Sequence, residues 1–299
     1  MARAWLLVCT SAAAACGGDN RAGPTGSSWL PTVALSLTAS PPVIVGAGDI
    51  ANCGEPGAEA TARVLDGVKG TVFTAGDNAY MRGTLEDYRN CYEPTWGRHR
   101  GRTRPVPGNH EYETPGGSGY FEYFGASAGP WGLGYYAYGV GSWQVLALNS
   151  EIPIGAASAQ LDWVRQQLTF EPRRCTAVYW HRPLFSSGPN GSNRDMLDLW
   201  RLLYNLDVDI VINGHDHIYE RFAPQTPDGR LDPERGIRQF TVGTGGAAPS
   251  GISRSTANSE AAAGVWGVTA FTLLDDRYRW EFMPAAGVSF SDSGSGLCH

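Results

Sequence analysis

The chain has 299 residues, 42% of them hydrophobic, and a formal net charge of −6. That is ample material for a core, and the acidic balance argues against a general nucleic-acid binder. No apolar run reaches about 18 residues, so no membrane-spanning helix is expected, and Lys69 is the only lysine.

The N-terminus, MARAWLLVCTSAAAACGGDNR, reads as an export signal. Arg3 comes early, an apolar stretch runs from Trp5 to Ala15, and small residues precede Cys16. The AAAC ending at Cys16 resembles a bacterial lipoprotein processing box, with Ala13 where leucine is more usual. The expected location is therefore exported: a cell-envelope lipoprotein, or a secreted or periplasmic protein if cleavage falls among the alanines. Residues 1–16 are the signal, 17–42 a linker rich in Gly, Ser, Thr and Pro, 43–290 one folded domain, and 291–299 a C-terminal tail. With Cys9 and Cys16 in the signal, Cys53, Cys91, Cys175 and Cys298 remain, which allows three pairings. None sits in a CxxC pattern, and an oxidising compartment favours two disulfides.

PVIVGAGD (42–49) is the first strand, and GAEATARVLDGV (57–68) a helix. TVFTAGDN (71–78) is a strand with its terminal loop. TLEDYRNCY (84–92) reads as a helix with Thr84 as N-cap. TRPVPGN (103–109) is a third strand, and GYYAYGVGSWQVLALNS (134–150) a hairpin around Gly139–Gly141. SAQLDWVRQQL (158–168) is a helix with Leu161, Val164 and Leu168 on one face. CTAVYWH (175–181) is a strand, and RDMLDLWRLLYNL (194–206) a helix striped by Met196, Leu199, Leu203 and Leu206. VDIVI (208–212) is a buried strand that Gly214 breaks. Gln239 to Phe282 holds further strands around a Gly/Ala/Ser-rich loop. The alternation of strand and helix predicts an α/β domain with antiparallel hairpins mixed in.

The predicted strand ends collect a particular chemistry. AGD ends at Asp49, AGDNAY carries Asp77 and Tyr80, PGNHEY carries Asn109 and His110, VYWH ends at His181, and NGHDH carries His215 and His217. Four of the six histidines fall in these stretches; His99 and His299 lie outside them. In an extended segment His215 and His217, two apart, point the same way, past a strand end where open α/β sheets place ligands.

These blocks, GD at 48–49, GDNAY at 76–80, GNHE at 108–111, VYWH at 178–181 and GHDH at 214–217, resemble in order those of the calcineurin-like metallophosphoesterases of purple acid phosphatase type. The resemblance covers about residues 43–285 and implies a four-layer αββα sandwich with mixed β-sheets, 43–290 being its catalytic domain. It further implies two metal ions bridged by Asp77. Asp49, Tyr80 and His217 complete the first site; Asn109, His181 and His215 complete the second. Many members carry D-x-H in the first block, but here that position is Ala51. Tyr80 then supplies a hard phenolate, which implies Fe(III) at its site and a divalent Fe, Zn or Mn at the other. His110 is no ligand in this scheme. It faces the substrate as catalytic acid, or else holds Asp77 or a backbone carbonyl.

The implied activity is hydrolysis of phosphomonoesters through a metal-bound hydroxide, in the manner of an acid phosphatase. A phosphodiesterase on the same site and an inactive calcineurin-like binding module are the alternatives; retention of all seven ligand types speaks against the second. The partner is a phosphate ester, no nucleic acid is expected, a membrane is reached only through an N-terminal lipid, and no oligomeric state is implied.

The chain departs from the plant pattern in RPLFSSGPNGSNRD (182–195), which lacks the histidines that touch phosphate there. Arg182, Asn190 or Asn193 can replace them or lie on the surface. The separate N-terminal β domain usual in that pattern is not expected in residues 1–42, which read as signal and linker. Asp216 is expected behind the site or on the surface, with Glu111, Tyr219, Glu220 and Arg221 around the ligands. RHRGRTR (98–104) reads as a solvated charge run. TPGGSGY (114–120) and SSGPNGS (186–192) read as wide loops. Cys53 and Cys91 follow adjacent parallel strands, so they are expected to pair, which leaves Cys175 to Cys298.

Overall fold

The computed structural model describes residues 40–299; the expected export signal and the expected linker up to residue 39 lie outside the described residues. In chain order the elements are β1 (Val43–Ala47), α1 (Gly57–Asp66), β2 (Thr71–Ala75), α2 (Leu85–Asp87), β3 (Thr103–Val106), α3 (Ser118–Phe124), β4 (Tyr136–Val140) and β5 (Trp143–Ala147). Then follow α4 (Ala159–Phe170), β6 (Thr176–Tyr179), α5 (Leu197–Asn205), β7 (Ile210–Asn213), β8 (Tyr219–Phe222), β9 (Arg238–Val242), β10 (Ser259–Ala263), β11 (Gly267–Leu273), β12 (Arg277–Pro284) and β13 (Asp292–Leu297). Among the described residues no helix is long and apolar enough to cross a membrane.

The strands form a six-stranded sheet, β13-β12-β11-β1-β2-β3, and a seven-stranded sheet, β10-β8-β9-β7-β6-β5-β4. Both are mixed. β1, β2 and β3 run parallel in the first, and β5, β6, β7 and β9 in the second, with antiparallel strands flanking them. The central strands are covered on both faces, which is why their sequences are apolar runs and not alternations. β12 alternates instead, with Tyr278, Trp280 and Phe282 inward and Arg277, Arg279 and Glu281 outward.

The sheets face each other across a core rich in aromatic rings, among them Phe73, Tyr179, Tyr219, Phe240, Phe271 and Trp280. α1 and the rings of Tyr88, Tyr92, Trp96 and Tyr120 cover the outer face of the first sheet. Leu161 and Val164 of α4, with Leu199, Trp200 and Leu203 of α5, cover the second. This is the αββα order expected from the sequence. Helix starts follow local chemistry: Thr84 Oγ1 accepts from Asp87 N and Asp87 Oδ2 from Thr84 N, both at 3.0 Å, and Ser158 caps α4.

Three segments differ from expectation. Residues 291–299, set apart as a tail, contain β13. Its Gly294 and Gly296 lie flat on the rings of Trp280 and Tyr278, where a Cβ has no room, so the strand carries no apolar alternation to betray it. TPGGSGY is no wide loop: it makes a tight 3-10 turn and opens α3, with Gly119 against the carbonyl of Gly83. RHRGRTR is not a solvated run. Arg98 pairs with Glu59 and Asp66 of α1 at 2.7 and 2.9 Å, Arg102 donates to the Gly70 and Leu65 carbonyls, both at 2.9 Å, and His99 is buried. The cluster fastens α1 to the approach of β3.

Both disulfides form as paired above, Cys53–Cys91 and Cys175–Cys298. The first ties the loop after β1 to the turn after α2, and the second fastens the end of β13 to the start of β6. Closing the 38-residue span of Cys53–Cys91 restricts the unfolded chain. Cys91→Ser is expected to lower unfolding free energy by about 2–4 kcal/mol in non-reducing denaturation, and an unchanged midpoint refutes this.

Candidate metal centre

The site lies past the C-terminal ends of β1, β2, β3, β6 and β7, where both sheets contribute a loop. The ladder of β1 and β2 continues into these loops through Asp49 N to Gly76 O at 2.9 Å and Ile50 N to Asp77 O at 2.9 Å. The sheets are joined there by His181 Nδ1 to Ala75 O at 2.9 Å and by Gly245 N to Gly48 O at 2.8 Å. Asp49, Asp77 and His215 all have positive φ, 58°, 49° and 75°. Side chains rarely adopt that backbone, and its concentration here marks a site the surrounding fold holds in place. The glycines ahead of the polar residues have a separate cause. A Cβ on Gly108 would overlap the Asp77 carboxylate, and one on Gly214 would sit 2.6 Å from Asp49 Oδ2.

Two groups of donor atoms result. Tyr80 Oη is 3.0 Å from Asp49 Oδ1, 3.1 Å from His217 Nε2 and 3.3 Å from Asp77 Oδ2. His181 Nε2 is 3.1 Å from Asn109 Oδ1, 3.1 Å from His215 Nδ1 and 3.2 Å from Asp77 Oδ2. Atoms bound about 2.0–2.2 Å from one ion lie roughly 2.8–3.6 Å from each other at octahedral or tetrahedral angles. The distances from Tyr80 Oη and from His181 Nε2 fall in this range, and Asp77 Oδ2 belongs to both groups. Asp77, His181 and His215 by themselves can hold a metal ion. The remaining ring nitrogens are fixed: His181 Nδ1 on Ala75 O, and His217 Nδ1 on Ala248 O at 2.9 Å. Each leaves Nε2 as the free donor, the usual support of a ligating histidine.

The electrostatics draw positive charge. Burial works against a charged His181, but the Asp77 carboxylate outweighs it and lifts the imidazole to about 10. His217 is lifted to about 9 by Asp49, again against burial. Burial, then His181, depresses His215 to about 3. Burial and the carboxylates of Asp49 and Asp77 push the Tyr80 phenol well up. Asp77 is held below the usual range by His181 and His110 despite its burial.

Residues 39–219 match the family described as calcineurin-like phosphoesterase. The chain belongs to that family. All seven grouped residues, Asp49 to His217, lie inside the matched segment. The chain is 29% identical to purple acid phosphatase 21 of Arabidopsis thaliana over 214 residues, 62% of this chain and 47% of that protein. It thus spans about half the length of the curated relatives it matches. Its fold is similar to that of the purple acid phosphatase PPD1 of yellow lupin (TM-score 0.73, 19% identity, covering 86% of this chain and 54% of that one). It is also similar to GAP50, the anchor in the inner membrane complex of Plasmodium (TM-score 0.69, 16% identity, 87% and 89% covered).

Around this site the remaining predicted residues separate. His110 stands beside the two groups: Nδ1 is 2.5 Å from Met81 O, its ring centroid is 4.5 Å from that of Tyr80, and Nε2 is 3.9 Å from Asp77 Oδ2. It lines a cavity of about 320 Å³ with Asp77, Asn109, Asn190, His215 and His217. Its Nδ1 is held on a backbone carbonyl, one of the expected placements, and the residue also lines the cavity. The pair in GHDH is not extended: tight turns at 214–218 send His215 to the Asp77–His181 group and His217 to the Asp49–Tyr80 group.

Asp216 is fully buried and accepts from Ser186 Oγ, Asn190 N and Gly191 N, while Glu220 accepts from Ser187 N at 2.8 Å. SSGPNGS is therefore pinned and not wide. Asn190 Nδ2 holds His215 O at 2.9 Å, and Asn193 caps the turn before α5. Tyr219 and Arg221 lie elsewhere, binding Asp292 at the start of β13 at 2.6 and 2.7 Å. Sequence reasoning missed Glu151, which sits at one more strand end, after β5, and holds Arg182 at 2.9 Å.

Glu111 is the buried support beneath the ligand loops. Its carboxylate accepts from Asn78 N at 2.8 Å, Ala79 N at 3.3 Å, Tyr88 Oη at 2.9 Å and Gly108 N at 2.7 Å. Burial, then Asp77, raises its pKa, and the Gly108, Tyr88 and Ala79 donors oppose the rise. Glu111→Gln brings an amide N–H against these donors and is expected to cost about 1–3 kcal/mol in thermal or chemical unfolding. Equal stability of the two proteins contradicts this role.

A pH dependence follows from the imidazoles. His181 and His217 have raised pKa values, so below about 9 both carry protons that ligation must displace. Tyr80 adds a phenolic proton, whereas His215, depressed to about 3, adds none. Loading two metal ions at pH 7 is expected to release about three protons, with affinity rising with pH. Calorimetry in buffers of different ionisation enthalpy measures this, and release of no protons contradicts it.

Proposed function

We propose that the chain is an exported dinuclear-metal phosphatase acting on phosphomonoesters. The observation that supports this best is Asp77 Oδ2, placed between two donor groups at the floor of an open cavity. In this reading Asp49, Tyr80 and His217 hold one ion, Asn109, His181 and His215 the other, and Asp77 both. Bound there, two metal ions supply charge neutralisation and an activated water nucleophile. The Tyr80 proton, held by burial and two carboxylates, yields most readily to a strongly acidic cation, which favours Fe(III) at that position. The neutral set of Asn109, His181 and His215 suits divalent Fe, Zn or Mn.

His110 Nε2 faces the cavity beside Asp77 and is placed to hand a proton to the leaving oxygen. Its Nδ1, held by Met81 O, fixes the ring in that orientation. Asn109 and His215 line the same cavity and orient the phosphoryl group. A monoester dianion offers one more anionic oxygen to this site than a diester and brings no second bulky group. Export, with Cys16 as first residue of the mature protein, is consistent with two disulfides.

The test is kcat/KM for an aryl phosphomonoester against the matching bis-aryl diester in aerobically purified protein. The monoester is expected to be cleaved faster, His110→Ala to slow turnover by roughly 10²–10⁴, and Tyr80→Phe to abolish a purple to pink absorption. A ten-fold preference for the diester overturns the monoesterase reading. A colourless, active, zinc-only protein overturns the iron.

A further inference from the structure

Arg182 follows His181 and belongs to two environments at once. Its Nε donates to both oxygens of Glu151, at 2.9 and 3.1 Å, and its backbone N–H donates to Ser150 Oγ at 3.3 Å. The Glu151 side chain is 8% exposed, so this anchor is rigid. Nη1 stands 3.5 Å from His215 Nε2, while His215 Nδ1 faces the donor group, 3.1 Å from His181 Nε2. A neutral imidazole that ligates through Nδ1 carries its proton on Nε2. Arg182 and His215 then present two N–H donors to one space, and no described side chain supplies them an acceptor. Two converging donors at the rim of a phosphoryl site call for an oxygen from the ligand.

Arg182 is also a wall of a second cavity, of about 590 Å³, between the loop after β5 and the turn that opens α5. Ile152, Ile154, Met196 and Leu197 give it an apolar side, and Ile154 and Met196 are buried, so that side is preformed. Arg194 lines it together with Asp195 and Asp198, one cation against two anions, which disfavours a second anionic group there. A cavity of this size takes a ring or a short aliphatic body.

We infer that this second cavity receives the organic group of the ester, with Arg182 and the His215 Nε2–H gripping an ester or phosphoryl oxygen at its mouth. The preferred substrates are phosphomonoesters of aromatic or bulky aliphatic alcohols. The inference rests on the phosphomonoesterase reading, and Arg182 is its specificity-determining residue.

Phosphonates test it without turnover. Calorimetry on metal-loaded protein compares phenylphosphonate with methylphosphonate, metal content being measured for every variant. Phenylphosphonate is expected to bind at least ten-fold tighter. Ile152→Trp, which fills the cavity from one wall, is expected to reduce that ratio to near one. Leu197→Trp fills it from the opposite wall and serves if the first variant misfolds. Arg182→Ala is expected to weaken both phosphonates ten-fold or more, and Arg182→Lys to restore part of the loss. Equal binding of the two phosphonates to the native protein, or an Arg182→Ala protein that keeps its metal and both affinities, overturns the inference. If the phosphonate ratio holds but no phosphate ester is cleaved, the phosphomonoesterase reading is what fails. If esters are cleaved without a phenyl preference, the subsite fails alone.

Discussion

The Asp77 carboxylate is the constraint on which the rest of the structure depends. One of its oxygens reaches both donor groups, 3.3 Å from Tyr80 and 3.2 Å from His181, while the other is held by the backbone N–H of His110 at 2.9 Å. That position requires a left-handed backbone at Asp77 and a bare Cα at Gly108 against its side chain. It also requires the loops after β2 and β3 to keep their spacing. Glu111 sets that spacing by accepting from the N–H groups of both loops.

Such a site opposes folding. Asp49, Asp77 and Glu111 are buried carboxylates, and burial of charge costs several kcal/mol unless partners compensate. Glu111 is compensated by its four donors from the first half. For Asp49 and Asp77, part of the compensation crosses the sandwich: His181, His215 and His217 arrive from the second sheet, and the two carboxylates from the first. The aromatic core between the sheets and the Cys175–Cys298 disulfide hold the halves at the distance this pairing needs. Within the first half, Cys53–Cys91 ties the loop after β1 to the turn after α2, and Arg98 and Arg102 tie α1 to the approach of β3.

The seven residues gathered at the site were legible because their chemistry is local: a strand, a glycine and then a polar side chain, repeated at several strand ends. α1, α4 and α5 were legible from apolar periodicity, and their predicted core residues are buried except Leu206, which is half-buried. What escaped was tertiary. β13 has the composition of a linker, and only the rings of Trp280 and Tyr278 make its glycines a strand. The arginines of RHRGRTR look solvated until α1 supplies acids to Arg98 and a carbonyl to Arg102. Tyr219 and Arg221 sit close in sequence to His217, yet β8 carries them away toward Asp292. Glu151 went unnoticed because its importance lies in Arg182, 31 residues further on.

The central claim is that Asp77 joins two metal positions. Anomalous diffraction from crystals of the metal-loaded protein measures this most directly. The account predicts two peaks about 3.5–4 Å apart, with Asp77 Oδ2 between them, Tyr80 beside one and His181 beside the other. A single peak at full occupancy after loading, or two peaks that share no Asp77 oxygen, contradicts it.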